Sequence, residues 1–355
     1  MRIFVSIASY QDPILKYTVE SLYNNAKFKD NLVIGVFDQS LETLEFDFHV
    51  KYKQCKPEDS NGACWARSII QMDLLEDEDI FMQIDSHTMF DKDWDEYLIN
   101  EYNKAKTWID KPVITGYPRP FEVLKTTNAF NTDEEYVFVP RDKPTNNTQV
   151  MKAHIPFTDG LHCSQISDNF SPKQHKGFLL SGGFIFTSRQ WVTDVPYDPE
   201  IFFIGEESTL ALRSYTHGYD MVFVPNTPLY HWYNTDSQEV KRELHWEGIN
   251  AIKSQGLAET GRTRKDIVLS GVDTGRYGIG NERTLKDYAN FSGIDYDYSI
   301  RKLNEVIFDL CGSNTVDLYS HEFSNSHFYD GVHTTANGSE EIGRVIADFI
   351  ISSLN

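Results

Sequence analysis

Asp85 and His87 lie two positions apart, directly after an apolar run, and both side chains can bind a divalent cation. Residues 80–84 of that run are almost all apolar, which is typical of a buried strand. Side chains i and i+2 of an extended segment point to the same side, so the carboxylate and the imidazole can hold one ion together. Such a pair suits Mn²⁺ better than Mg²⁺, which is the second choice. The alternative is a strand end with two solvated polar residues, because D-x-H is a short pattern.

The strand that carries this pair must sit in a sheet, and the start of the chain predicts one. An apolar, β-branched run over residues 1–8 predicts the first strand, and Asp12 before Pro13 favours a helix start. Helical spacing of apolar residues continues to about Asn25, and residues 32–38 predict a second strand. This order makes a βαβ unit. We therefore expect an α/β protein with a mostly parallel sheet, in which ligands bind beyond the carboxyl ends of the strands.

Further along the chain, the strand and helix patterns continue around a long polar region. Residues 117–176 are rich in Pro, Asn, Thr and Asp, which indicates a long functional or mobile loop. Residues 177–186 predict a strand with Gly182 and Gly183 in its middle, where glycine is unfavourable unless a backbone or ligand comes close. The remaining predicted elements are strands at about 49–54, 112–116 and 220–224, and helices at about 61–75, 94–106 and 206–215.

The bulk properties describe a globular, acidic protein. The chain has 355 residues, of which 40% are hydrophobic and 14% aromatic, so it can bury a large core. Its net charge of −20 argues against non-specific binding to nucleic acid or to anionic membranes. The N-terminus does not resemble a signal peptide, and no apolar run is long enough for a membrane span. The four cysteines show no metal-type pairing, so we expect reduced thiols in a cytoplasmic protein, with a disulfide as the alternative.

Several blocks of the sequence, taken in order, resemble a known family. The blocks are residues 3–12 (IFVSIASYQD), 62–67 (GACWAR), 83–87 (QIDSH), 181–184 (SGGF), 205–207 (GEE) and 283–293. In these blocks the chain resembles the GlcNAc-type glycosyltransferase family that includes the cytosolic enzymes modifying hydroxyproline on Skp1-like proteins. The resemblance implies a GT-A fold, with a Rossmann-like mixed sheet and flanking helices, over residues 1–296. A small C-terminal appendage would then follow over residues 297–355.

The resemblance also implies a reaction. The family is metal-dependent and retaining, so we expect transfer of a sugar, GlcNAc foremost, from a UDP-sugar to a hydroxyl acceptor on a protein or glycan. A front-face course is the family expectation, in which the acceptor attacks from the side of the leaving phosphate. The catalytic candidates are Asp85, Glu206 and Glu207. For the two glutamates the alternative is a plain role at a helix N-terminus, where negative charge is favourable.

The resemblance assigns Asp85 and His87 to a metal ion that binds the diphosphate and neutralises the charge on departing UDP. A third ligand must come from elsewhere in the chain. His231 is our candidate, with His217 and His245 as competitors, because neutral imidazole is a common metal ligand.

The remaining expected donor contacts come from the same blocks. Asp12 would accept a hydrogen bond from the base, or else serve only as a helix N-cap. Arg67 would pair with the diphosphate or order Asp85, or else form a surface salt bridge. Trp232 is preferred to Trp65 as a ring that stacks on sugar or acceptor, although tryptophan is by default a core residue. The rest of the expected donor contacts are Ser6, Ala8, Ser9, Tyr10, Gln83, Asp85, Ser86, Gly182 and Gly183.

Near the end of the chain, Asp330 and His333 resemble the last block of SGNH-type esterases, in which two such residues assist a serine. The sequence has no upstream serine in a G-D-S context, so a structural or oligomerising appendage is the expectation. Two hypotheses compete with the transferase: a nucleotide-sugar-binding protein with weak or no activity, and a transferase for modified nucleic-acid bases. The basic stretch over residues 261–265 favours the second of these.

Overall fold

The computed structural model describes residues 1–127, 134–141, 148–154, 164–170, 172–233, 240–272, 274–294 and 296. In chain order the strands are β1 (Ile3–Tyr10), β2 (Leu32–Gln39), β3 (Lys51–Cys55), β4 (Ile80–Asp85), β5 (Thr88–Phe90), β6 (Pro112–Thr115), β7 (Arg119–Thr127), β8 (Glu134–Pro140), β9 (Thr148–His154), β10 (Ser164–Phe170), β11 (His175–Gly177), β12 (Phe184–Ser188), β13 (Asp220–Phe223) and β14 (Leu229–His231). The helices are α1 (Leu15–Asn25), α2 (Ala63–Asp73), α3 (Trp94–Ala105), α4 (Gln190–Asp194), α5 (Glu206–Thr216), α6 (Ala251–Leu269) and α7 (Leu285–Ser292).

An eight-stranded mixed sheet is the framework, in the order β11-β13-β6-β12-β4-β1-β2-β3. Strands β4, β1, β2 and β3 run parallel, so their carboxyl ends lie at one edge, while β12 runs antiparallel between β4 and β6. The register places Ala8 of β1 beside Asp85 of β4. The expected fold class is confirmed: this is the large mixed sheet with flanking helices that the GT-A resemblance implied.

The remaining strands form two smaller sheets. One has four strands in the order β5-β14-β7-β8, and the other pairs β9 with β10. In the first of them, His231 of β14 lies opposite Thr88 of β5. This pairing delivers residue 231 to the end of the central strand, although the two segments are far apart in sequence.

Burial on both faces explains why β1 and β4 are mostly apolar along their length rather than alternating. On one face, Val5 belongs to a buried cluster with residues of α1 and α3, such as Leu22 and Trp94. On the other face, the ring of Phe81 stacks on Trp191 of α4 at 5.9 Å. Burial of each such side chain contributes roughly 1.5–3 kcal/mol to the free energy of unfolding, compared with an exposed side chain. The sheet therefore holds the strand ends in fixed positions.

Three predictions about secondary structure are wrong in detail. Helix α1 begins at Leu15 rather than at Pro13, with Ile14 as its N-cap, and the carboxylate of Asp12 is bonded to the turn after β4. The region 117–176, expected to be a loop, contains β7 to β10 in its described parts. The strand expected over residues 177–186 is two strands, β11 and β12, and the glycine pair lies between them.

The chain divides into two compact units. The first comprises Met1–Met151 with Ser167–Glu282 and carries the large sheet, and the second comprises Lys152–Ile166 with Arg283–Asn355. In the described part of the second unit, Thr284 and Asp287 form a capping box at the start of α7. The expected appendage over residues 297–355, with Asp330 and His333, lies outside the described residues and stays a prediction. Among the described helices, none has the length and apolar character that crossing a membrane requires.

Candidate active site

A cavity of about 220 Å³ opens at the carboxyl ends of β1 and β4. Open α/β sheets bind their ligands in this position. The walls come from the end of β1, the turn after β4, the end of β14 and the segment 242–246. The lining residues are Ala8, Ser9, Tyr10, Asp12, Gln39, Ala63, Arg67, Asp85, Ser86, His87, Phe203, His231, Arg242, Glu243, Leu244, His245 and Trp246.

Asp85, His87 and His231 meet in this cavity, with one ligand atom of each within 4.8 Å of the others. Nε2 of His231 lies 3.0 Å from Oδ2 of Asp85, and the centres of the two imidazole rings are 4.6 Å apart. Asp85 ends β4, His87 lies in the turn before β5, and β14 delivers His231. The structure therefore brings the three expected ligands together, whereas the competitors His217 and His245 are outside the cluster.

Asp12 fixes the imidazole ring of His87 through its Nδ1 atom. Its Oδ2 accepts a hydrogen bond from Ser86 Oγ at 2.7 Å and lies 2.7 Å from Nδ1 of His87, while Oδ1 accepts from the Ile14 N–H at 3.0 Å. Burial opposes ionisation, but the hydrogen bond and charge of His87 lower the pKa of Asp12 on balance. The expectation that Asp12 is the helix N-cap is wrong, because Ile14 holds that position and the carboxylate of Asp12 holds this turn. The expectation that Asp12 contacts the base stays a prediction.

The protonation state of His87 follows from these contacts. Burial and the positive charge of Arg242 lower the pKa of His87 to about 4, so the ring is neutral at pH 7. An ionised Asp12 can only accept a hydrogen bond, so Nδ1 of His87 carries the proton and Nε2 keeps its lone pair. This tautomer, fixed by a carboxylate behind the ring, is the one that metal-binding histidines use.

Arg67 of α2 bridges two carboxylates. Its Nη2 donates to Oδ1 of Asp85 at 2.6 Å, and its Nη1 donates to Oε1 of Glu206. Arg67 is only 5% exposed, so the alternative of a surface salt bridge is wrong. Burial opposes the ionisation of Asp85, but His231 and Arg67 hold its pKa well below the usual range. Asp85 is therefore a fixed, ionised carboxylate at neutral pH.

The two glutamates at the start of α5 have different surroundings. Glu206 is 4% exposed and accepts hydrogen bonds from Arg67 and, at 2.7 Å, from the Tyr197 hydroxyl. Glu207 accepts a hydrogen bond from the Gly182 N–H at 2.8 Å, and burial raises its pKa to about 7. Glu207 can thus exchange a proton near neutral pH.

The glycine pair before β12 makes room for the chain's own carboxylates. A Cβ on Gly183 would lie 2.8 Å from Oδ2 of Asp85, and a Cβ on Gly182 would lie 2.4 Å from Oε1 of Glu206. The carbonyl of Gly182 also accepts a hydrogen bond from Gln83 at 2.6 Å. Larger residues at these two positions would displace the site, and the expected contact of the pair with a donor sugar stays a prediction.

Some expected donor contacts lie too deep to touch a ligand in this cavity. Ser6 and Gln83 are fully buried inside β1 and β4 and support the site from below. Trp232 is 1% exposed and belongs to a core cluster, so the expectation that it stacks on a sugar is corrected. Neighbouring residues of an extended chain face opposite sides, and His231 takes the side of the cavity. Trp65 packs on Phe37 at 5.4 Å. The expected contacts that do line the cavity are Ala8, Ser9, Tyr10, Asp12, Arg67, Asp85 and Ser86.

Arg242 lines the cavity and was missed by sequence reasoning. Its guanidinium lies 5.5 Å from the Trp232 ring centre, its Nη1 donates to the Trp232 carbonyl at 3.4 Å, and its Nε has no partner among the described residues. The side chain is 8% exposed, and no described carboxylate lies within ion-pair distance of it. A buried guanidinium with an unpaired donor is energetically unfavourable unless an anion binds to it. Nothing in the local sequence marks Arg242, because it is outside every recognised block.

Five further polar atoms on the lining residues are buried without a partner in the described part of the chain. Two belong to side chains already described, Nε of Arg67 and Nδ1 of His231, and the other three are Oγ of Ser9, Oε1 of Gln39 and Nε2 of His245. Gln39 uses its second polar side-chain atom to donate to the Ser9 carbonyl at 2.7 Å, which fixes its orientation. Together they can satisfy a ligand that presents both donors and acceptors, as a nucleoside does.

The Asp85–His87–His231 cluster fits a divalent ion. One carboxylate and two imidazoles form a donor set that accepts first-row divalent ions, Mn²⁺ and Fe²⁺ among them. The 3.0 Å between His231 Nε2 and Asp85 Oδ2 matches the spacing of two adjacent ligands, each about 2.1 Å from one ion and at right angles. Asp85 is ionised and His87 is neutral, as ligation requires.

Comparisons with known proteins complete the description of the site. A family model described as Glycosyltransferase (GlcNAc) matches residues 41–298, which include every lining residue after Gln39. No curated protein matches the chain. Among solved structures, the chain is similar to residues 1–349 of TarS from S. aureus, with 13% identity, a TM-score of 0.41, and coverage of 93% of this chain and 99% of that one. For the same TarS segment in complex with UDP-GlcNAc, the identity is 13%, the TM-score 0.39, and the coverage 85% and 92%.

Proposed function

The chain belongs to the Glycosyltransferase (GlcNAc) family, and we propose that it uses a divalent metal to move GlcNAc from UDP-GlcNAc to a hydroxyl group of a protein or glycan. The observation that carries the proposal is the meeting of the Asp85–His87–His231 cluster and Arg242 in one cavity. A bound ion and the Arg242 guanidinium would place two positive charges beside the same space. A diphosphate is the anion that such a pair accommodates.

The protein supplies rigidity around the diphosphate. When bound, the ion supplies a Lewis acid that stabilises the charge on the departing diphosphate. Asp12 fixes the ring of His87, and Arg67 fixes the carboxylate of Asp85 from the opposite side of the cluster. Because these ligands are already oriented, little reorganisation is needed when charge develops on the leaving group.

Arg242 adds the second cation. Its stack on Trp232 and its bond to the Trp232 carbonyl set the direction of the guanidinium. A phosphate oxygen accepting from its unpartnered Nε would satisfy both the buried charge and the unpaired donor. At the same time, Ser9, Gln39 and His245 offer the unpaired polar atoms that a uridine moiety requires.

The glutamates of α5 take different parts in the proposal. Glu206 is committed to Arg67 and Tyr197, and so it acts through them on the position of Asp85. Glu207, with its raised pKa, is the carboxylate that can bind a sugar hydroxyl or accept a proton from the acceptor. The front-face retaining course stays part of this proposal, since it needs no nucleophile from the protein.

The setting of the reaction is also proposed. A cytoplasmic location is favoured by the two described cysteines, Cys55 and Cys64, which are free thiols. Transfer to nucleic-acid bases loses much of its support, because two of the three basic residues of the stretch on α6 are engaged internally, whereas Arg262 is exposed. Arg264 pairs with the buried Asp198 at 2.7 Å, and Lys265 is 4% exposed.

A donor screen tests the proposed function. The wild-type chain is incubated with UDP-GlcNAc, UDP-Glc, UDP-Gal or UDP-GalNAc, and released UDP is measured with Mn²⁺ and with EDTA. We expect Mn²⁺-dependent release that is fastest with UDP-GlcNAc. Absence of metal-dependent release from all four donors would overturn the proposal, and preference for a different donor would correct the identity of the sugar.

A further inference from the structure

A second cavity, of about 770 Å³, shares a wall with the candidate donor site. Phe203 and Trp246 line both cavities, and their ring centres are 5.1 Å apart. A group held in the second cavity therefore borders the donor across these two rings. The volume lies in the range of small-molecule sites.

The aromatic wall is partly exposed and firmly held. Phe203 is 40% exposed and Ile204 45%. Their loop is clamped through Phe202: a Cβ on Gly62 would lie 2.4 Å from the Phe202 carbonyl, and a Cβ on Gly261 would lie 2.7 Å from its nitrogen. Two glycines are thus needed to pack α2 and α6 on this loop. Exposed apolar side chains presented on such a fixed backbone mark a binding surface.

The opposite wall is a face of α6 that carries both small and polar residues. Ser254, Gln255, Glu259 and Arg262 line the cavity from successive turns of this helix. An amide, a carboxylate and a guanidinium therefore face an aromatic wall. A sugar ring matches this combination, since it has an apolar C–H face for the aromatic rings and hydroxyls for planar polar groups.

We propose that this second cavity is the acceptor site and that it binds the acceptor through a saccharide ring. The inference rests on the proposed function, which supplies the donor beside it. A peptide acceptor fits less well, because the described walls are a loop and a helix and offer no strand edge for main-chain pairing. The acceptor hydroxyl would approach the donor past Phe203 and Trp246.

Direct binding of small glycosides tests this assignment. The full chain, with Mn²⁺ and UDP present, is titrated with the methyl β-glycosides of glucose, galactose and GlcNAc, and with short serine- or threonine-containing peptides. Binding is measured by saturation-transfer NMR on the wild type, on Gln255→Ala and Arg262→Ala, and on Ile252→Ala. Ile252 is the matched control, because it lies on the same helix, is 87% exposed and does not line the cavity.

We expect at least one glycoside to bind, with its Kd raised about fivefold or more by Gln255→Ala and by Arg262→Ala but unchanged by Ile252→Ala. The assignment is overturned if no glycoside binds, if only peptides bind, or if the cavity variants keep the wild-type Kd. The affinity for UDP in the same samples reports separately on the proposed function. A chain that binds glycoside at this cavity but not UDP would contradict the donor assignment and leave the saccharide site supported.

Discussion

Oδ2 of Asp12 lies 2.7 Å from Nδ1 of His87, so a residue just after β1 fixes a ring just after β4. The ionised carboxylate forces the Nδ1–H tautomer and leaves the lone pair of Nε2 for the space shared with Asp85 and His231. The contact between Asp12 and His87 therefore fixes the orientation of one of the two side chains in the Asp85–His87 pattern.

Replacement of Asp12 by Asn should weaken metal binding. The amide oxygen can still accept from His87, but the negative charge behind the ring is lost, and loss of such support typically costs about 10–100-fold in metal affinity. Calorimetric titration with Mn²⁺ measures the effect, and Asp47→Asn on the exposed surface is the control. Equal Mn²⁺ affinity in Asp12→Asn and wild type would show that the contact does not serve a metal.

Arg242→Ala should weaken binding of UDP much more than binding of uridine. Hydrogen bonds to charged groups are worth about 1.5–3 kcal/mol, which corresponds to roughly 10–150-fold in the Kd for UDP. Uridine lacks the diphosphate and should lose little. The control is Arg141→Ala, which removes an arginine that is paired with Glu122 on the surface. A similar loss of affinity for both ligands would place Arg242 away from the phosphates.

Gly183→Ala should disturb the metal cluster by steric contact alone. The new Cβ would lie 2.8 Å from Oδ2 of Asp85, so the carboxylate must shift from its present position beside His231. We expect a loss of Mn²⁺ affinity of about tenfold or more. Gly256→Ala is the matched control, since a Cβ at that position in α6 meets nothing within 4 Å. That substitution should stabilise the helix by about 0.5–1 kcal/mol. Unchanged Mn²⁺ affinity in Gly183→Ala would refute the role given to this glycine.

Glu207 should make the protein less stable as the pH rises. Burial raises its pKa from 4.5 to about 7 in the folded chain, so the unfolded chain loses this proton first. The contribution of Glu207 to stability is then complete below about pH 4.5 and is lost as the pH rises to about 7. Thermal unfolding in EDTA at several pH values should show this decline in wild type and a flatter profile in Glu207→Gln. The exposed Glu45→Gln variant should follow wild type, and a Glu207→Gln profile parallel to wild type would contradict the raised pKa.

Local pattern and long-range packing account for different parts of the site. Asp85 and His87 could be found from the sequence because an apolar strand followed by two ligand types is a local signal. The contact of Asp12 with His87 could not be found in this way, since Asp before Pro favours a helix start and only the register of β1 with β4 brings Asp12 to Ser86 and His87. Arg242 had no local signal at all.

Trp232 shows the same division between local pattern and packing. Its aromatic ring is suited to stacking on a sugar. Side chains alternate along an extended chain, however, so the side chain of Trp232 packs in the core when that of His231 faces the cavity. The strands between residues 117 and 176 were missed because their polar composition imitates a loop. Their pairing with distant strands, such as β7 with β14, decides their conformation.

The affinity for UDP, measured by calorimetry in Mn²⁺ and in EDTA for wild type and Asp85→Asn, tests the central claim most directly. If the cluster holds a metal that binds the diphosphate, wild type should bind UDP about tenfold or more tightly in Mn²⁺ than in EDTA. Asp85→Asn, confirmed as folded by circular dichroism, should bind UDP equally weakly in both. A wild-type affinity for UDP that is the same in Mn²⁺ and EDTA would contradict the account.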